Sequence, residues 1–252
     1  MSDLEGKVIL VTGGSRGVGA ATVHAARAAG GDVVLHYGQS RQRAEDLAAQ
    51  LGEDHCHIVG ADLTEAGAAQ RLWQAALEWK GRIDVLVNNA GIYEPVDLDA
   101  DDQAWEGVWQ RTLQANLLAP ADLTRAAVGH FRGNGGGSII NIESRAAFRG
   151  EGPVYAPYAA SKGALMAFGR TIARAYAGDG VLVYGISPGW IDTDMAADGI
   201  EQLGRDYVMS DIPIGDIVPP EEIANLVVFL ASGKARHTIG TSIDINGASY
   251  PR

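Results

Sequence analysis

Val8-Ile9-Leu10-Val11 runs into Thr12-Gly13-Gly14-Ser15-Arg16-Gly17-Val18-Gly19, and a helix-compatible stretch from Ala20 to Ala29 follows at once. A Val/Ile run, a glycine turn and a helix start with no spacer read as a buried strand feeding a helix N-terminus. Such a junction is an anion site: bare backbone lets phosphate approach, N–H groups point at it, and the helix dipole favours negative charge. Gly17 and Gly19 stand where the closest approach is needed. The spacing is Gly-x-x-x-Gly-x-Gly rather than the Gly-x-Gly-x-x-Gly dinucleotide fingerprint, so the position between strand and helix carries the reading.

The same alternation continues along the chain. Val33-Val34-Leu35, Ile83 to Val87, Ser138 to Ile142 and Val181 to Ile186 read as further buried strands. Between them Ala44/Leu47/Ala48/Leu51 and Leu72/Ala75/Ala76/Trp79, and later Leu165/Phe168/Ile172 and Ile223/Leu226/Val227/Leu230, recur at the spacing of amphipathic helices. Strands apolar on both faces and joined by helices require a parallel sheet covered on both sides. The expected architecture is α/β, a Rossmann-like doubly wound parallel sheet of about seven strands, with its ligand crevice at the carboxyl ends of the strands. No linker, repeat or low-complexity tract divides residues 1–252, so one domain is expected.

Composition excludes several functions. Hydrophobic residues make up 46% and charged residues 20%, enough for a sizeable core and against disorder. Asp and Glu outnumber Lys and Arg by 31 to 20, a formal net charge of -11, and no Lys/Arg cluster offsets it, which argues against nucleic-acid and anionic-membrane partners. Cys56 is the single cysteine, so no internal disulfide forms, and the run from His55 to Val59 suggests a buried thiol. The N-terminus lacks a basic start with an apolar stretch, and no apolar run reaches about 18 residues, so a cytoplasmic protein is expected. No metal is expected. The 33 glycines, about twice the usual share, imply many tight turns or backbone that approaches something closely.

After the second strand the chain reads Leu35-His36-Tyr37-Gly38-Gln39-Ser40-Arg41. It has no carboxylate where an acidic residue about 20 positions past the turn would hold the ribose 2′-hydroxyl of NAD. A 2′-phosphate is then tolerable, and Arg16, Ser40 and Arg41, with Tyr37 alongside, are the candidates to meet it. NADP(H) is therefore expected over NAD(H). Arg16 is the stronger candidate because it sits beside the phosphate turn; Arg41 also fits as the start of a solvated helix with Arg43 and Glu45.

Further on, Tyr158-Ala159-Ala160-Ser161-Lys162 opens a helix, and a spacing of four brings Tyr158 and Lys162 to one face. An adjacent ammonium, with a positive nicotinamide nearby, is expected to lower the tyrosine pKa and fit it for proton transfer.

With these motifs together, the chain resembles the short-chain dehydrogenase/reductase family, in its shorter size class, over nearly its whole length. The family pattern T-G-x-x-x-G-x-G is matched by Thr12, Gly13, Gly17 and Gly19; N-N-A-G by Asn88-Asn89-Ala90-Gly91; Y-x-x-x-K by Tyr158 and Lys162; and P-G by Pro188-Gly189, in the family's order. The resemblance implies that Ser144 hydrogen-bonds the substrate oxygen, that Tyr158 is the acid/base, and that Lys162 tunes it and holds the nicotinamide ribose. It implies that Asn116 holds a water of the proton relay. Gly13, Ser15, Arg16, Gly17, Val18 and Gly19 are expected against the cofactor phosphates, and Asp62 and Leu63 beside the adenine. Asn89, Ala90 and Gly91, with Pro188, Gly189, Ile191 and Thr193, complete the expected cofactor set; Asp62 also suits a helix start.

Three departures stand out. Glu143 precedes Ser144 where the family usually has a small or hydroxyl residue, with little consequence expected if it points to solvent. Tyr155 lacks a lysine four residues on and is expected to line the pocket. Gly215-Asp216 and Asn246-Gly247 replace a Gly-Arg and an Asp-Gly-Gly, and bear on the subunit contacts of a family that is usually tetrameric.

The expected function is NADP(H)-dependent hydride transfer between the nicotinamide and a small-molecule carbonyl or secondary alcohol, in a homotetramer or a dimer. The alternatives are a 3-oxoacyl-thioester (acyl-carrier-protein) reductase, a sugar or polyol dehydrogenase, and a non-catalytic nucleotide-binding scaffold. A substrate lid is expected at 194–212, with Trp190, Tyr155 and Phe148 as aromatic pocket or core residues.

Overall fold

β1 (Val8–Val11) is buried along its length and lies between β2 (Asp32–Tyr37) and β4 (Val85–Asn88). The computed structural model describes residues 3–194, 196, 200 and 204–252. With β3 (Cys56–Gly60), β5 (Gly137–Ile142), β6 (Val181–Pro188) and β7 (Ser242–Ile245), the strands form one sheet in the order β3-β2-β1-β4-β5-β6-β7. Every pairing is parallel. The doubly wound α/β fold in a single domain follows as the sequence pattern requires.

The continuous apolar runs are explained by two cores, one on each face. Ile9, Val11, Val33, Leu35 and Ile140 enter a layer with Val23, Leu47, Ile223 and Val227, from α1 (Gly17–Ala28), α2 (Arg41–Leu51) and the helix Pro220–Ala231. Their chain neighbours Val8, Leu10, Val34 and Ile139 enter the opposite layer, against Leu72, Leu123 and Phe131 from α3 (Ala68–Lys80) and α5 (Ala119–Gly133). Successive side chains point to opposite faces, so a strand buried on both must be apolar at every position.

β1 pairs with β2 on one side and β4 on the other, so the connections leave its carboxyl end in opposite directions. A crevice opens at that switch point, and the N-terminus of α1 points into it. On the other flank, α4 (Asp102–Leu113) starts at Asp101, whose carboxylate accepts a hydrogen bond from the Ala104 N–H at 2.8 Å. It passes through a π-helical turn, Gln114–Leu118, into α5. Cys56 is buried as expected, and burial pushes its thiol up to about 11. Among the described residues no helix is long and apolar enough to cross a membrane.

Candidate active site

A cleft of about 370 Å³ runs over the carboxyl ends of β1, β4, β5 and β6. The Thr12–Gly19 turn forms its floor. Gly13 has φ +64°, and a Cβ at Gly19 would stand 2.0 Å from the Gly13 carbonyl oxygen, so the turn closes only with glycine there. Three strands lock it. The Asn89 side chain donates to the carbonyls of Thr12 at 2.8 Å and Gly13 at 3.2 Å, while the Thr12 hydroxyl accepts from the Asn89 and Ala90 N–H groups, both at 2.9 Å.

From β2, His36 is buried and accepts the Gly13 N–H on Nδ1 at 3.0 Å. Its Nε2 lies 2.9 Å from the Ala61 carbonyl, so the proton belongs on Nε2. Burial lowers the pKa of this ring and keeps it neutral. These turn amides, the α1 N-terminus and the bare glycine cradle fit a dinucleotide pyrophosphate.

Most of the expected cofactor residues line this cleft: Ser15, Arg16, Gly17, Val18, Ser40, Asp62, Leu63, Asn89 to Gly91, Pro188, Gly189, Ile191 and Thr193. Asp62 also turns its own loop, accepting from the Thr64 N–H at 2.9 Å and hydroxyl at 2.7 Å, which lowers its pKa. Tyr37 and Arg41 are not brought to the cleft. Tyr37 packs where a Cβ on Gly60 would meet its ring at 2.8 Å, and Arg41, its side chain 72% exposed, pairs with Glu45 at 2.8 Å. The strand alternation that turns His36 toward the turn sends Tyr37 the other way. His36, Gly38 and Gln39, which the sequence reading did not single out, line the cleft instead.

The reacting groups gather where β5 and β6 end. Ser144 follows β5, and α6 (Ala156–Tyr176) carries Tyr158 and Lys162 on one face. The Lys162 ammonium is buried, donates to the Ile142 carbonyl at 2.8 Å and lies 5.7 Å from the centre of the Tyr158 ring. Asn116 sits in the π-helical turn behind them. It accepts the Ile92 N–H at 2.8 Å and donates to the Ile92 carbonyl at 3.0 Å and the Ser161 hydroxyl at 3.1 Å. A Cβ on Gly91 would stand 3.1 Å from Asn116 Oδ1 and 3.7 Å from Lys162 Nζ, so glycine keeps the two side chains within reach of one space.

The protein's own groups shift Tyr158 upward, whereas the expected lowering counts also on a positive nicotinamide beside it. Tyr158 keeps part of its surface open to the cleft, yet the protein packed around its phenol pushes it up to about 12, opposed by a hydrogen bond with Ser144. Burial likewise pushes Lys162 down to about 8, opposed by Glu143. Desolvation is the largest influence on both groups.

Glu143 does not point to solvent. Its side chain is buried above β6, and its carboxylate accepts a short hydrogen bond from the Ser242 hydroxyl, which lies 2.8 Å from that of Ser187. Burial pushes its pKa up to about 7, against the charges of Lys162, Arg170 and Arg252. The signal that it turns inward is Gly185, one strand over, whose missing side chain leaves the carboxyl its room.

Around the substrate end, Trp190 lines a small cavity with Ser144 and Tyr158. Tyr155 stacks on Tyr93 with ring centres 3.8 Å apart, and Tyr93 meets Tyr158 edge-on at 4.8 Å. Phe148 instead lies under the Arg252 guanidinium at 3.4 Å. Of the expected lid, Met195, Gly199 and Leu203 lie outside the described residues. Val208 and Ile212 are buried, and Tyr207 is exposed.

A doubly wound sheet with a phosphate turn after β1 and a serine, tyrosine and lysine at the β5–β6 end defines a nucleotide-binding oxidoreductase. Residues 13–248 match the family model described as "Enoyl-(Acyl carrier protein) reductase". The chain is 37% identical over 248 residues to the short-chain reductase protein NovJ of Streptomyces niveus, covering 95% of this chain and 92% of that one. It is 34% identical over 253 residues to a 3-oxoacyl-[acyl-carrier-protein] reductase of Synechocystis, with 98% of each covered. A crystal structure of a short-chain dehydrogenase/reductase (glucose/ribitol dehydrogenase) from Brucella melitensis superposes with a TM-score of 0.89 at 31% identity, covering 99% of both chains. The chain belongs to the short-chain dehydrogenase/reductase family and is an oxidoreductase acting on carbonyl or alcohol substrates.

Proposed function

We propose that the protein is an NADP(H)-dependent reductase of ketones or aldehydes, and of their alcohols in reverse, with Asn116, Ser144, Tyr158 and Lys162 as its working group. The observation that carries this reading is that Ser144, Tyr158 and Lys162 share one cleft with the Thr12–Gly19 turn. The nicotinamide nucleotide supplies or accepts the hydride when bound. Gly13 to Gly19 would hold its phosphates, Asp62 and Leu63 its adenine, and Lys162 its nicotinamide ribose.

The remaining work falls to side chains. The Ser144 hydroxyl donates to the substrate oxygen, and Tyr158, protonated at neutral pH with a pKa near 12, delivers a proton to it as an alcohol forms. Lys162 returns a proton to Tyr158 and is itself reprotonated from solvent through a water that Asn116 would hold. For the nucleotide, Arg16 and Ser40 in the cleft, with no carboxylate between Leu35 and Arg41, support a 2′-phosphate. An acidic carrier protein would meet a chain of net charge -11, which favours a free small-molecule substrate. A cytoplasmic homotetramer, or a dimer, completes the proposal.

The test is a carbonyl panel followed by absorbance with NADPH and NADH in parallel, repeated with Tyr158→Phe. NADPH-preferring turnover that falls at least about 100-fold in the variant supports the reading. Unchanged turnover in Tyr158→Phe removes the acid/base assignment, and an NADH preference removes the assignment of Arg16.

A further inference from the structure

Two backbone N–H groups of the phosphate turn are taken by one residue. Nδ1 of His36 accepts from the Gly13 N–H at 3.0 Å, and the His36 carbonyl accepts from the Gly14 N–H at 2.8 Å. At the other edge of the ring, Nε2 donates to the Ala61 carbonyl at 2.9 Å. His36 is next to last in β2, which separates β1 from β3 in the sheet, so no ladder joins the segments that follow those two strands. Gly13 stands just past the end of β1 and Ala61 just past the end of β3. The imidazole is their cross-brace.

Both braced segments are walls of the nucleotide cleft. Ala61 leads into Asp62 and Leu63, which line it together with Gly13 and Ser15 to Gly19. Asn89 holds the Gly13 carbonyl from the β4 side while His36 holds its N–H from the β2 side, so Gly13 is fixed from both. The N–H groups of Gly17, Val18 and Gly19, in the first turn of α1, have no partner inside the helix and are left for the phosphates. Packing alone does not call for a polar ring at a position only 2% exposed. Burying an imidazole is costly unless its nitrogens are paired, and both are paired to cleft segments.

The brace exists in one protonation state. Nδ1 must offer its lone pair to Gly13, which makes the ring neutral with its proton on Nε2; a second proton would set two donors face to face. Burial holds the ring below its ordinary 6.5, and Asp62 is the charged group that acts toward protonation. Of the flanking strands, β1 has no charged residue and β3 has His57, whose ring stacks on Trp79 of α3; the turn carries Arg16.

We propose that His36 is a positioning residue for the nucleotide: as a neutral imidazole it locks the phosphate turn to the segment that would meet the adenine, and so sets the affinity for the dinucleotide while touching neither it nor the substrate. This rests on the cleft being the dinucleotide site.

The experiment titrates NADP+ and NAD+ into the full chain by calorimetry, with kinetics on the best carbonyl of the panel. His36→Phe keeps a flat ring without either nitrogen. His36→Asn keeps an acceptor where Nδ1 stands and does not titrate. At pH 8 His36→Phe should raise Kd for the preferred nucleotide about 10- to 100-fold, through the loss of two buried hydrogen bonds, with kcat at saturating nucleotide within about threefold of wild type. His36→Asn should return Kd to within about fivefold of wild type. From pH 8 to 5.5 the ratio of the wild-type Kd to that of His36→Asn should stay level or rise, because a proton on the ring competes with the Gly13 N–H.

An unchanged Kd in His36→Phe overturns the assignment, and an equal loss in both variants reduces His36 to packing. A ratio that falls on acidification also overturns it, since the ring would then serve the phosphates as a cation. Each of these leaves the nucleotide site standing. If neither nucleotide binds the wild type, the cleft reading itself fails and takes the role of His36 with it. Should His36→Phe not fold, ¹⁵N spectra of ring-labelled wild type decide. A neutral imidazole protonated on Nε2 at pH 7, with and without NADP+, supports the brace, and a charged ring or a proton on Nδ1 ends it.

Discussion

Glu143 fills the space that a side chain at Gly185 would need: a Cβ on Gly185 would stand 2.3 Å from Glu143 Oε1. Gly185 lies opposite Asn141 in the register of β5 and β6, and Glu143, just past the end of β5, reaches diagonally back over it, so a buried acid beside Ser144 and a glycine in the next strand form one packing unit.

Glu143→Gln should therefore stabilise the fold in a pH-dependent way. Burial raises the carboxyl from 4.5 to about 7, so between those values the folded chain keeps a proton that the unfolded chain has released. The contribution is full below about pH 4.5 and is lost as pH rises through 7, where the buried carboxylate costs up to about 3 kcal/mol against a neutral isostere. Thermal melts from pH 4.5 to 8 should show the variant gaining on wild type as pH rises. A gap independent of pH would refute the buried ionisation.

Gly185→Ala tests the packing itself. With Glu143 in place the added methyl should cost about 1–3 kcal/mol by overpacking. In the Glu143→Ala background the same change should be close to neutral, giving a coupling of at least about 1 kcal/mol in a double-mutant cycle. Denaturant titration of the four proteins reads it directly, and additive effects would contradict the shared space.

Asn116 holds both backbone groups of Ile92 as well as the Ser161 hydroxyl. Asn116→Ala leaves the Ile92 N–H and carbonyl unpaired, at about 1–3 kcal/mol each where they stay buried. The π-helical turn that presents Asn116 has its own use here, since such turns cluster at functional sites. The expected outcome is a lower melting temperature and a reduced kcat with cofactor affinity, measured by NADPH fluorescence, nearly unchanged. A change confined to cofactor affinity would assign Asn116 to the nucleotide rather than to the proton path.

Strand-then-glycine-then-helix order made the sheet and the phosphate turn readable, because burial on both faces demands unbroken apolar runs and the turn demands glycine. The two edge strands, β3 (Cys56–Gly60) and β7 (Ser242–Ile245), escaped because an edge strand is only half buried and its apolar pattern is diluted, in β7 by Ser242 and Asp244. The placement of Tyr158 and Lys162 on one helix face was legible from their spacing, whereas the inward turn of Glu143 and the burial of Arg145 beside Asp211 were not. Whether a charged side chain beside Ser144 turns inward depends on Gly185 and Asp211, which lie 42 and 66 residues further along the chain. Helix spacing likewise shows that Lys162 neighbours Tyr158, but not how far the surrounding protein desolvates each of them.

Arg16 and Arg41 were the two arginines proposed for the nucleotide, and the structure separates them. Arg16 lines the cleft beside the glycine turn, while Arg41 is spent on Glu45 at the surface. Arg16→Ala should raise KM for NADPH about 10- to 100-fold, the worth of one charge-assisted contact to a phosphate, and barely alter KM for NADH. Arg41→Ala should leave both within about twofold, since an exposed pair contributes at most about 1 kcal/mol. Rising salt should weaken NADPH binding in wild type more than in Arg16→Ala, because only the former relies on that charge. Steady-state kinetics with both nucleotides at two ionic strengths decides it, and an Arg41 effect larger than that of Arg16 would mean that the 2′-phosphate lies outside the cleft wall described here.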